Sequence, residues 1–460
     1  MENGGEPDVR PEPRLKRGHL VLLLALLGLV YAPYITRGGL VRDDLGFVTA
    51  PRDFTTYLAF QGHLSSLVTM TARPVSAILH GASYWLYGAN ACAHHATNLI
   101  LFAGSIILAY FAISRVFDPR LAFMTSAFAA VYPVASGTVF SALMMNSNLA
   151  GICWTGALYL SASRSPSLKE DIAVAILLML SGLSYESFVP LFAANVLVRE
   201  PRSGPLSLQT LVRRAAPVLV AVFLLALYRV VIERWIFETS FTRATLQANA
   251  LPRLGGGILD GLRVAFVDSI RVSFRALRNI TLVSPGWLLV FVVGIATLFG
   301  SVYRAAAQCR RSGAGAIWIV AAAMFLAAHL IFAFSDYRPT AAGFESRTQG
   351  GIRFASAFLI ASTVVLAGTV RAKRVKPAIF TATAVLFALF AFGMLGQREG
   401  WIEAAHYNKG VVEEVSKAVR ATVIGEQDSL TLIAELDRQP VAFRSFTRSD
   451  RDWGGLVCVS

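Results

Sequence analysis

Long runs of apolar residues recur along the whole chain, and polar residues are concentrated in the segments between them. Each run approaches the roughly twenty residues that a helix needs to cross a bilayer. Backbone amides find no water inside lipid, so such runs must be helical. The pattern predicts an all-α polytopic membrane protein with about eleven transmembrane helices. The predicted spans are 19–36, 91–114, 121–140, 147–162, 171–185, 187–198, 213–232, 285–303, 315–334, 352–370 and 376–396.

The connections between these runs alternate in character. Cytoplasmic loops of membrane proteins carry an excess of Lys and Arg, so the N-terminus is predicted to be cytoplasmic and the C-terminus external. The short basic connections are 115–120, 164–169, 199–214, 304–311 and 371–376. The predicted external segments are the loops 37–90, 233–284 and 335–351 and the tight bends at 133–146 and 185–186.

This topology divides the chain into a cytoplasmic tail at 1–18, a membrane domain at 19–396 and a small external tail at 397–460. The external tail is too short to be an independent enzyme. Within the loop 233–284, apolar residues recur at helical spacing opposite four arginines. An amphipathic helix at 253–279, lying in the membrane interface, fits that pattern.

Composition agrees with a lipid-embedded chain. Of 460 residues, 55% are hydrophobic and 15% are charged, whereas soluble domains carry roughly a quarter charged residues. The net charge of +14 does not indicate nucleic-acid binding, because Lys and Arg cluster between the spans. The cysteines have neither zinc nor disulfide-framework spacing; they are Cys92, Cys153, Cys309 and Cys458. The first apolar run lacks a cleavage signature and is predicted to be a retained anchor.

An adjacent pair of acids, Asp43 and Asp44, follows the first span. Neighbouring carboxylates repel, which raises one pKa, and a carboxylate poised in this way can act as a general base. The alternative is that the pair caps a following helix, because Asp is a favoured N-cap residue. These residues alone leave both interpretations open.

Other polar residues interrupt the apolar runs on the external side. His95 and Asn98 share one helical face and can hydrogen-bond either a substrate or structural partners inside the membrane. Glu186 separates two apolar runs, where an acid is costly unless it is paired or used. Arg73 opens a stretch with aromatic residues that an interfacial belt also explains. The histidines have no acid at ligand spacing and form a poor zinc site.

Three arginines, Arg338, Arg347 and Arg353, lie in or just after the external loop 335–351. They are predicted to face outward beside the membrane, where a lipid phosphate would sit. A guanidinium binds phosphate through two parallel hydrogen bonds. The alternative is that these charges solvate the loop and pair with Asp336 and Glu345.

Five segments resemble, in order, the membrane portion of type C glycosyltransferases (GT-C), in particular the transmembrane and tetratricopeptide-repeat O-mannosyltransferases. They are Arg42-Asp43-Asp44, Arg73-Pro74, His95 to Asn98, Tyr132-Pro133-Val134 through Asn148, and Tyr185-Glu186-Ser187. The chain departs from those proteins at residues 145–148, where they tend to show Ser-Gly-Arg and an acid, and at Tyr185, where a Lys is usual. Their C-terminal repeats are also absent. The resemblance therefore implies neither mannose nor a protein acceptor.

The resemblance implies a GT-C-like fold with interfacial helices in the external loops. It also implies transfer of a sugar, with inversion, from a polyprenyl-phosphate donor to an acceptor hydroxyl at the outer face. Asp43 would be the base, and Asp44 would orient the acceptor or bind a divalent cation, the one cofactor in question. Arg347 and Arg353, with Arg338 as a third, would bind the donor phosphate. The sugar and acceptor pocket would contain Arg73, His95, Asn98, Asn146 and Glu186.

The expected partners are the lipid-linked sugar donor, membrane lipids, and a glycan, lipid or protein acceptor, in a bacterial inner (cell) membrane. The alternative function is a transporter or flippase of a lipid-linked sugar, which also needs many spans and embedded polar residues. Transporters usually show paired repeats with broken helices at mid-membrane. Polar residues gathered at one face favour an enzyme instead. A third possibility is an inactive relative that scaffolds an envelope complex.

Overall fold

The computed structural model describes residues 17–41, 44, 73–163, 167–198, 208–232, 250–309, 313–333, 338–369 and 375–421. These residues are almost entirely helical and include no strand, which confirms the predicted all-α class. Asp43, Asp336 and the chain after residue 421 lie outside the described residues.

The helices take their numbers from chain order. They are α1 (Arg17–Arg37), α2 (Pro74–Tyr87), α3 (Ala91–Val116), α4 (Pro119–Val131), α5 (Gly137–Phe140), α6 (Met145–Ser161), α7 (Leu168–Ser184), α8 (Ala193–Leu197), α9 (Leu208–Leu227), α10 (Ala250–Leu262), α11 (Ser269–Ala276), α12 (Pro285–Gln308), α13 (Ala314–Ala333), α14 (Ile352–Ala367) and α15 (Val375–Ala421). Short 3-10 turns lie at Pro133–Ala135, Ala142–Met144, Glu186–Phe192, Leu277–Leu282 and Phe344–Gln349, and π-helical turns at Tyr228–Ile232 and Arg263–Asp268.

Among the described residues, six helices are long and apolar enough to cross a membrane. They are Arg17–Arg37, Ala91–Val116, Leu211–Ile232, Pro285–Gln308, Ala314–Phe332 and Val375–Gly410. Helix α4 and the turn-and-helix Pro133–Phe140 after it are bent by 52°, and counting the pair as one broken span gives seven. The predicted spans 187–198 and 352–370 correspond to the shorter apolar helices Glu186–Leu197 and Ile352–Ala367. The long apolar helices indicate an integral membrane protein.

Arg115 and Arg120, from the first of the short basic connections, lie at one end of the bundle, called the basic end below. Arg115 Nη1 donates to the Tyr159 carbonyl at 3.0 Å, and Arg120 Nη1 donates to the Gln308 carbonyl at 2.6 Å. His19, at the start of α1, stacks on Phe123. The opposite end, called the distal end, is marked by the ion pair between Arg37, the last residue of α1, and Glu399 at 2.8 Å.

A buried arginine compensates for the proline inside α1. Pro33 has no N–H, and its ring crowds the carbonyl four residues earlier, so carbonyls of the preceding turn lose helical partners. Arg398 Nη1 donates to the Val30 carbonyl at 3.0 Å and approaches that of Leu29 at 3.5 Å. The same guanidinium binds Glu399 at 2.6 Å. The distal end of α1 is thereby fixed to α15.

Helix α15 continues past the predicted end of the last span. It runs without a break from Val375 to Ala421, so the first part of the predicted external tail is helical. Gln397 donates to the Pro133 carbonyl at 3.0 Å, which ties this helix to the bend after α4. Residues of the predicted tail therefore contribute to the packing of the membrane domain.

The loop 233–284 contains the predicted amphipathic helix. Residues 250–282 form a continuous helical stretch made of α10, a π-helical turn, α11 and a 3-10 turn. Its buried face packs on α15, where a Cβ on Gly396 would overlap the Ala276 carbonyl and one on Gly393 would meet Ser273 at 2.6 Å. These two glycines permit the close approach.

We expect the substitution Gly396→Ala to destabilise the protein by about 1–3 kcal/mol, because the added methyl group overlaps backbone that cannot rotate away. The matched control is Gly28→Ala in α1, where a Cβ meets nothing within 4 Å. The control should be neutral or stabilising, since Ala favours helix over Gly. Melting temperatures in detergent would test this. Equal effects of the two substitutions would contradict the close packing of α11 on α15.

Candidate functional site

The polar residues of the distal end converge on a broken stretch of backbone between α4 and α6. Residues 132–144 pass through two 3-10 turns and the four-residue helix α5 instead of one continuous helix. Several backbone groups therefore lack helical partners. Inside a membrane protein such backbone is tolerated only where other groups of the protein satisfy it.

Two asparagines supply those partners. Asn98 Nδ2 donates to the carbonyls of Val139 at 2.8 Å and Ser141 at 3.0 Å, with a longer contact of 3.3 Å to Thr138. Asn148 Nδ2 donates to the Thr138 carbonyl at 2.8 Å and to Asn98 Oδ1 at 2.7 Å. Both side chains are buried. They join α3 and α6 through the broken stretch.

Arg353 completes this network from α14. Its Nη2 donates to Asn148 Oδ1 at 2.7 Å, and its Nη1 donates to Thr138 Oγ1 at 2.9 Å. The guanidinium also lies over the Phe102 ring, 4.5 Å from its centroid. The side chain is only 1% exposed. Arg353 was expected to face outward towards a phosphate, and the structure instead directs it into the bundle, where the buried carbonyl and hydroxyl oxygens need a donor.

Asp44 binds the same stretch from the other side. Its Oδ1 accepts from Ser141 Oγ at 2.7 Å and from the Leu143 N–H at 2.8 Å, and its Oδ2 accepts from the Val41 N–H at 3.3 Å. The carboxylate thus caps the 3-10 turn Ala142–Met144. Capping was the alternative for Asp44 in the sequence, but the capped turn lies about a hundred residues away and not in the next helix.

Burial raises the pKa of the Asp44 carboxyl from 3.8 to about 6, although its hydrogen bonds with Leu143, Ser141 and Val41 oppose the shift. Asp44 lies beyond the end of α1, outside the candidate spans. Its donors are neutral, so they compensate only part of the lost hydration. The folded protein therefore holds this proton more tightly than the unfolded chain.

Asp44 should make the stability of the protein depend on pH. Because the folded pKa is raised, its stabilising contribution is complete below about pH 4 and is lost as the pH rises to about 6. We expect the melting temperature of the wild type, relative to Asp44→Asn, to fall across this window and to level off above it. Paired melting curves at closely spaced pH values would measure the difference. A constant difference from pH 4 to pH 7 would be evidence against a buried, proton-binding Asp44.

We expect the replacement of Arg353 to lower the free energy of unfolding, whatever its effect on ligand binding. The substitution Arg353→Ala leaves the buried oxygens of Asn148 and Thr138 without their donor, and each such loss costs about 1–3 kcal/mol. The control Arg338→Ala removes the same charge from an exposed residue and should change stability by less than about 0.5 kcal/mol. Thermal unfolding of both variants would decide. A fully stable Arg353→Ala protein would overturn this structural role.

Arg73 and Glu186, predicted separately as pocket residues, form a bidentate ion pair. Arg73 Nε donates to Glu186 Oε2 at 2.7 Å, and its Nη2 binds Oε1. The Arg73 guanidinium also lies 4.5 Å from the centroid of the Tyr185 ring. Burial alone would raise the pKa of Glu186, but the charge of Arg73 outweighs it and holds the pKa at about 2. Both side chains keep partial exposure, at 18% for Arg73 and 33% for Glu186.

Asn146 and His95 contact the edges of the network. Asn146 Nδ2 donates to Ser76 Oγ at 3.0 Å, which links α6 to the helix that Arg73 precedes. His95 Nε2 is 3.2 Å from the Gly39 carbonyl, and its ring packs on Tyr34 at a centroid distance of 4.7 Å. Both residues connect the distal end of α1 or α2 to the centre of the bundle.

The structure also brings in His80, which the sequence pattern did not single out. Its ring is buried and forms a hydrogen bond with the Leu143 backbone. The N–H of the same residue donates to Asp44. Burial, together with the nearby His94, lowers the pKa of His80 to about 4, so the ring is neutral at pH 7. In the sequence, His80 lies seven residues after Arg73 and three after Ala77, a spacing that places the three residues on one helical face. This spacing could have identified His80 as a neighbour of Arg73.

The backbone of Arg347 lies against the broken stretch. The Gly137 N–H donates to Ser346 Oγ at 2.9 Å, and a Cβ on Gly137 would stand 2.9 Å from the Arg347 nitrogen. Gly343, which precedes this 3-10 turn, has a φ of 80° that favours glycine. The Arg347 side chain is half-buried, whereas Arg338 is exposed and lies outside the helices. No described contact connects Arg338 to the network.

In the part of the chain that the structure describes, no group of three or more His, Cys, Asp or Glu side chains is placed to hold a metal ion. Comparisons with protein-family models, curated proteins and solved structures found no match. Asp44, Asn98, Thr138, Ser141, Asn148 and Arg353 form one buried hydrogen-bonded set, called the polar cluster below, and the Arg73–Glu186 pair is the partly exposed charged group near it.

Proposed function

We propose that this protein is a membrane glycosyltransferase that moves a sugar from a polyprenyl-phosphate donor to an acceptor hydroxyl at the distal end. The main support is convergence. Residues from the separate segments that resemble GT-C enzymes meet at one end of the bundle: Asp44 with Ser141, Asn98 with Asn148, and Arg73 with Glu186. A transporter would instead place its polar residues near the middle of the membrane, between two repeated halves of the fold.

The proposal includes a topology. Because short basic loops remain in the cytoplasm, the basic end with Arg115 and Arg120 is cytoplasmic and the distal end is external. The predicted spans 187–198 and 352–370, which correspond to shorter apolar helices, then join the long ones, and Glu186 lies in the external bend just before the first of them. In a bacterium this would be the cell membrane, with the distal end in the periplasm, where a lipid-linked donor is needed because nucleotide sugars do not reach it.

In the proposed reaction the acceptor oxygen attacks the anomeric carbon, and the bond between that carbon and the donor phosphate breaks. The acceptor proton passes to a carboxylate, for which we propose Asp43. The phosphate leaves with its negative charge, which Arg347 or Arg338 would stabilise because a guanidinium offers paired donors. Asp44 acts as a positioning residue, since its oxygens are occupied by Ser141, Leu143 and Val41.

The partly exposed pair Arg73–Glu186 suits the sugar. Glu186 is ionised and acts only as a hydrogen-bond acceptor, which matches the hydroxyl groups of a sugar ring. Arg73 fixes its carboxylate by two hydrogen bonds and rests on Tyr185. Rigid support of this kind positions a ligand-binding group before the ligand arrives.

Replacing the proposed base should abolish transfer without loss of the folded protein. We expect Asp43→Asn to lower the transfer rate by about 100-fold or more, the usual contribution of a general base. The full chain would be reconstituted in vesicles with a panel of short-chain polyprenyl-phosphate hexoses and pentoses carrying radiolabelled sugar. Release of polyprenyl phosphate and labelling of added glycosides or extracted glycans would be measured.

The matched control is Asp260→Asn, which makes the same chemical change in α10 at a residue with no described contact to the polar cluster, and should retain full activity. Normal transfer by Asp43→Asn would exclude that residue as the base. If the wild type moves the labelled lipid between leaflets but transfers no sugar, the protein is a flippase of a lipid-linked sugar and the proposal fails.

A further inference from the structure

Three arginines form a row on the helical stretch at the distal end. Arg271, Arg275 and Arg278 are spaced four and three residues apart, which places them on one face of the helix. All three side chains are exposed. The helix therefore presents three positive charges in a line, each about one turn from the next.

Protein acids neutralise only one end of this row. Asp268 is the nearest acid in the sequence, and it pairs with Arg263 at 3.3 Å and with Arg271 at 3.3 Å. The chain has no further Asp or Glu until Asp336. Within the described residues, Arg275 and Arg278 take part in no ion pair. An external anion is the natural counter-charge.

The neighbouring face of the same helix is apolar and also exposed. Val267, Ile270 and Phe274 are spaced three and four residues apart, and Phe274 has 59% of its surface exposed. The third face, with Ala265, Ser269 and Ser273, is buried against the bundle. A helix with one face in protein, one apolar and one basic matches an element that lies at the boundary between acyl chains and headgroups.

The position of the helix fits that level of the membrane. Asn279 Nδ2 donates to the Gly396 carbonyl at 3.1 Å, three residues before Glu399. Glu399 pairs with Arg37 at the end of α1. The arginine row thus lies beside the ends of two candidate spans, α1 and the apolar part of α15, where lipid headgroups begin.

We propose that Arg271, Arg275 and Arg278 form a binding surface for acidic phospholipids, with Ile270 and Phe274 inserted among the acyl chains. Guanidinium groups bind a phosphodiester by paired, charge-assisted hydrogen bonds. A zwitterionic lipid carries its own cation beside the phosphate, so the surface selects lipids with net negative charge. Lipid binding of this kind requires the interfacial helix but not sugar transfer.

The test measures binding of dioctanoyl phosphatidylglycerol and dioctanoyl phosphatidylcholine to the full chain in neutral detergent, by native mass spectrometry. We expect the wild type to prefer phosphatidylglycerol. Each basic residue near a membrane surface contributes about fivefold in affinity for acidic lipid. The double variant Arg275→Gln with Arg278→Gln should therefore bind phosphatidylglycerol about 25-fold more weakly. Higher salt should reduce the preference.

Two controls make the result specific. Arg213→Gln removes an exposed arginine near the start of α9, which we place at the basic end, and should leave the preference unchanged. The double variant Arg275→Lys with Arg278→Lys keeps both positive charges and should retain most of the preference for phosphatidylglycerol. Equal binding of the two lipids by the wild type, or a preference that survives the double Gln variant, would overturn the proposal. Because the measurement reads lipid binding alone, its failure would leave the glycosyltransferase proposal standing, and the converse also holds.

Discussion

The guanidinium of Arg353 can only donate hydrogen bonds, and this constraint orders the polar cluster around it. Asn148 must turn its carbonyl oxygen towards Arg353, so its amide group faces Asn98. Asn98 must then offer its own oxygen to Asn148, and its amide group points to the carbonyls of Val139 and Ser141. One buried cation thus fixes the orientation of two amide side chains. Their amide groups then donate hydrogen bonds to backbone carbonyls that have no helical partner.

The broken stretch between α4 and α6 is held on both of its polar sides. Its carbonyls accept from Asn98 and Asn148, while the Ser141 hydroxyl and the Leu143 N–H donate to Asp44. The same solution recurs at Pro33, where Arg398 supplies the donor that a proline removes from a helix. In both places an irregular backbone persists because an arginine or asparagine replaces the missing backbone partner. A membrane bundle can then place non-helical turns, and the side chains they carry, at its distal end.

The sequence was sufficient for the features that depend on local pattern. Apolar runs identified the helical, membrane-embedded class, and apolar residues spaced opposite four arginines in 253–279 identified a helical stretch. It was not sufficient where partners are far apart. Asp44 caps a turn about a hundred residues later, and Arg353 bonds Thr138 more than two hundred residues earlier, so no local periodicity reports either contact. Arg398 was assigned to a tail because its charge ends an apolar run, although burial beside Glu399 keeps it within the bundle.

Asp44 and Glu186 have opposite properties, and together they bear on which residue can be a base. Burial would raise the pKa of Glu186, but Arg73 holds it at about 2, which makes the carboxylate too weak a base to take a proton from a hydroxyl group. Burial raises the pKa of Asp44 to about 6, which suits a base better, but its oxygens are fully buried and already accept hydrogen bonds. Within the proposed transfer, Glu186 therefore fits the recognition of hydroxyl groups, whereas Asp44 supports the broken stretch. In the proposed transfer, the role of base then falls to Asp43, which immediately precedes the anchored Asp44 in the chain.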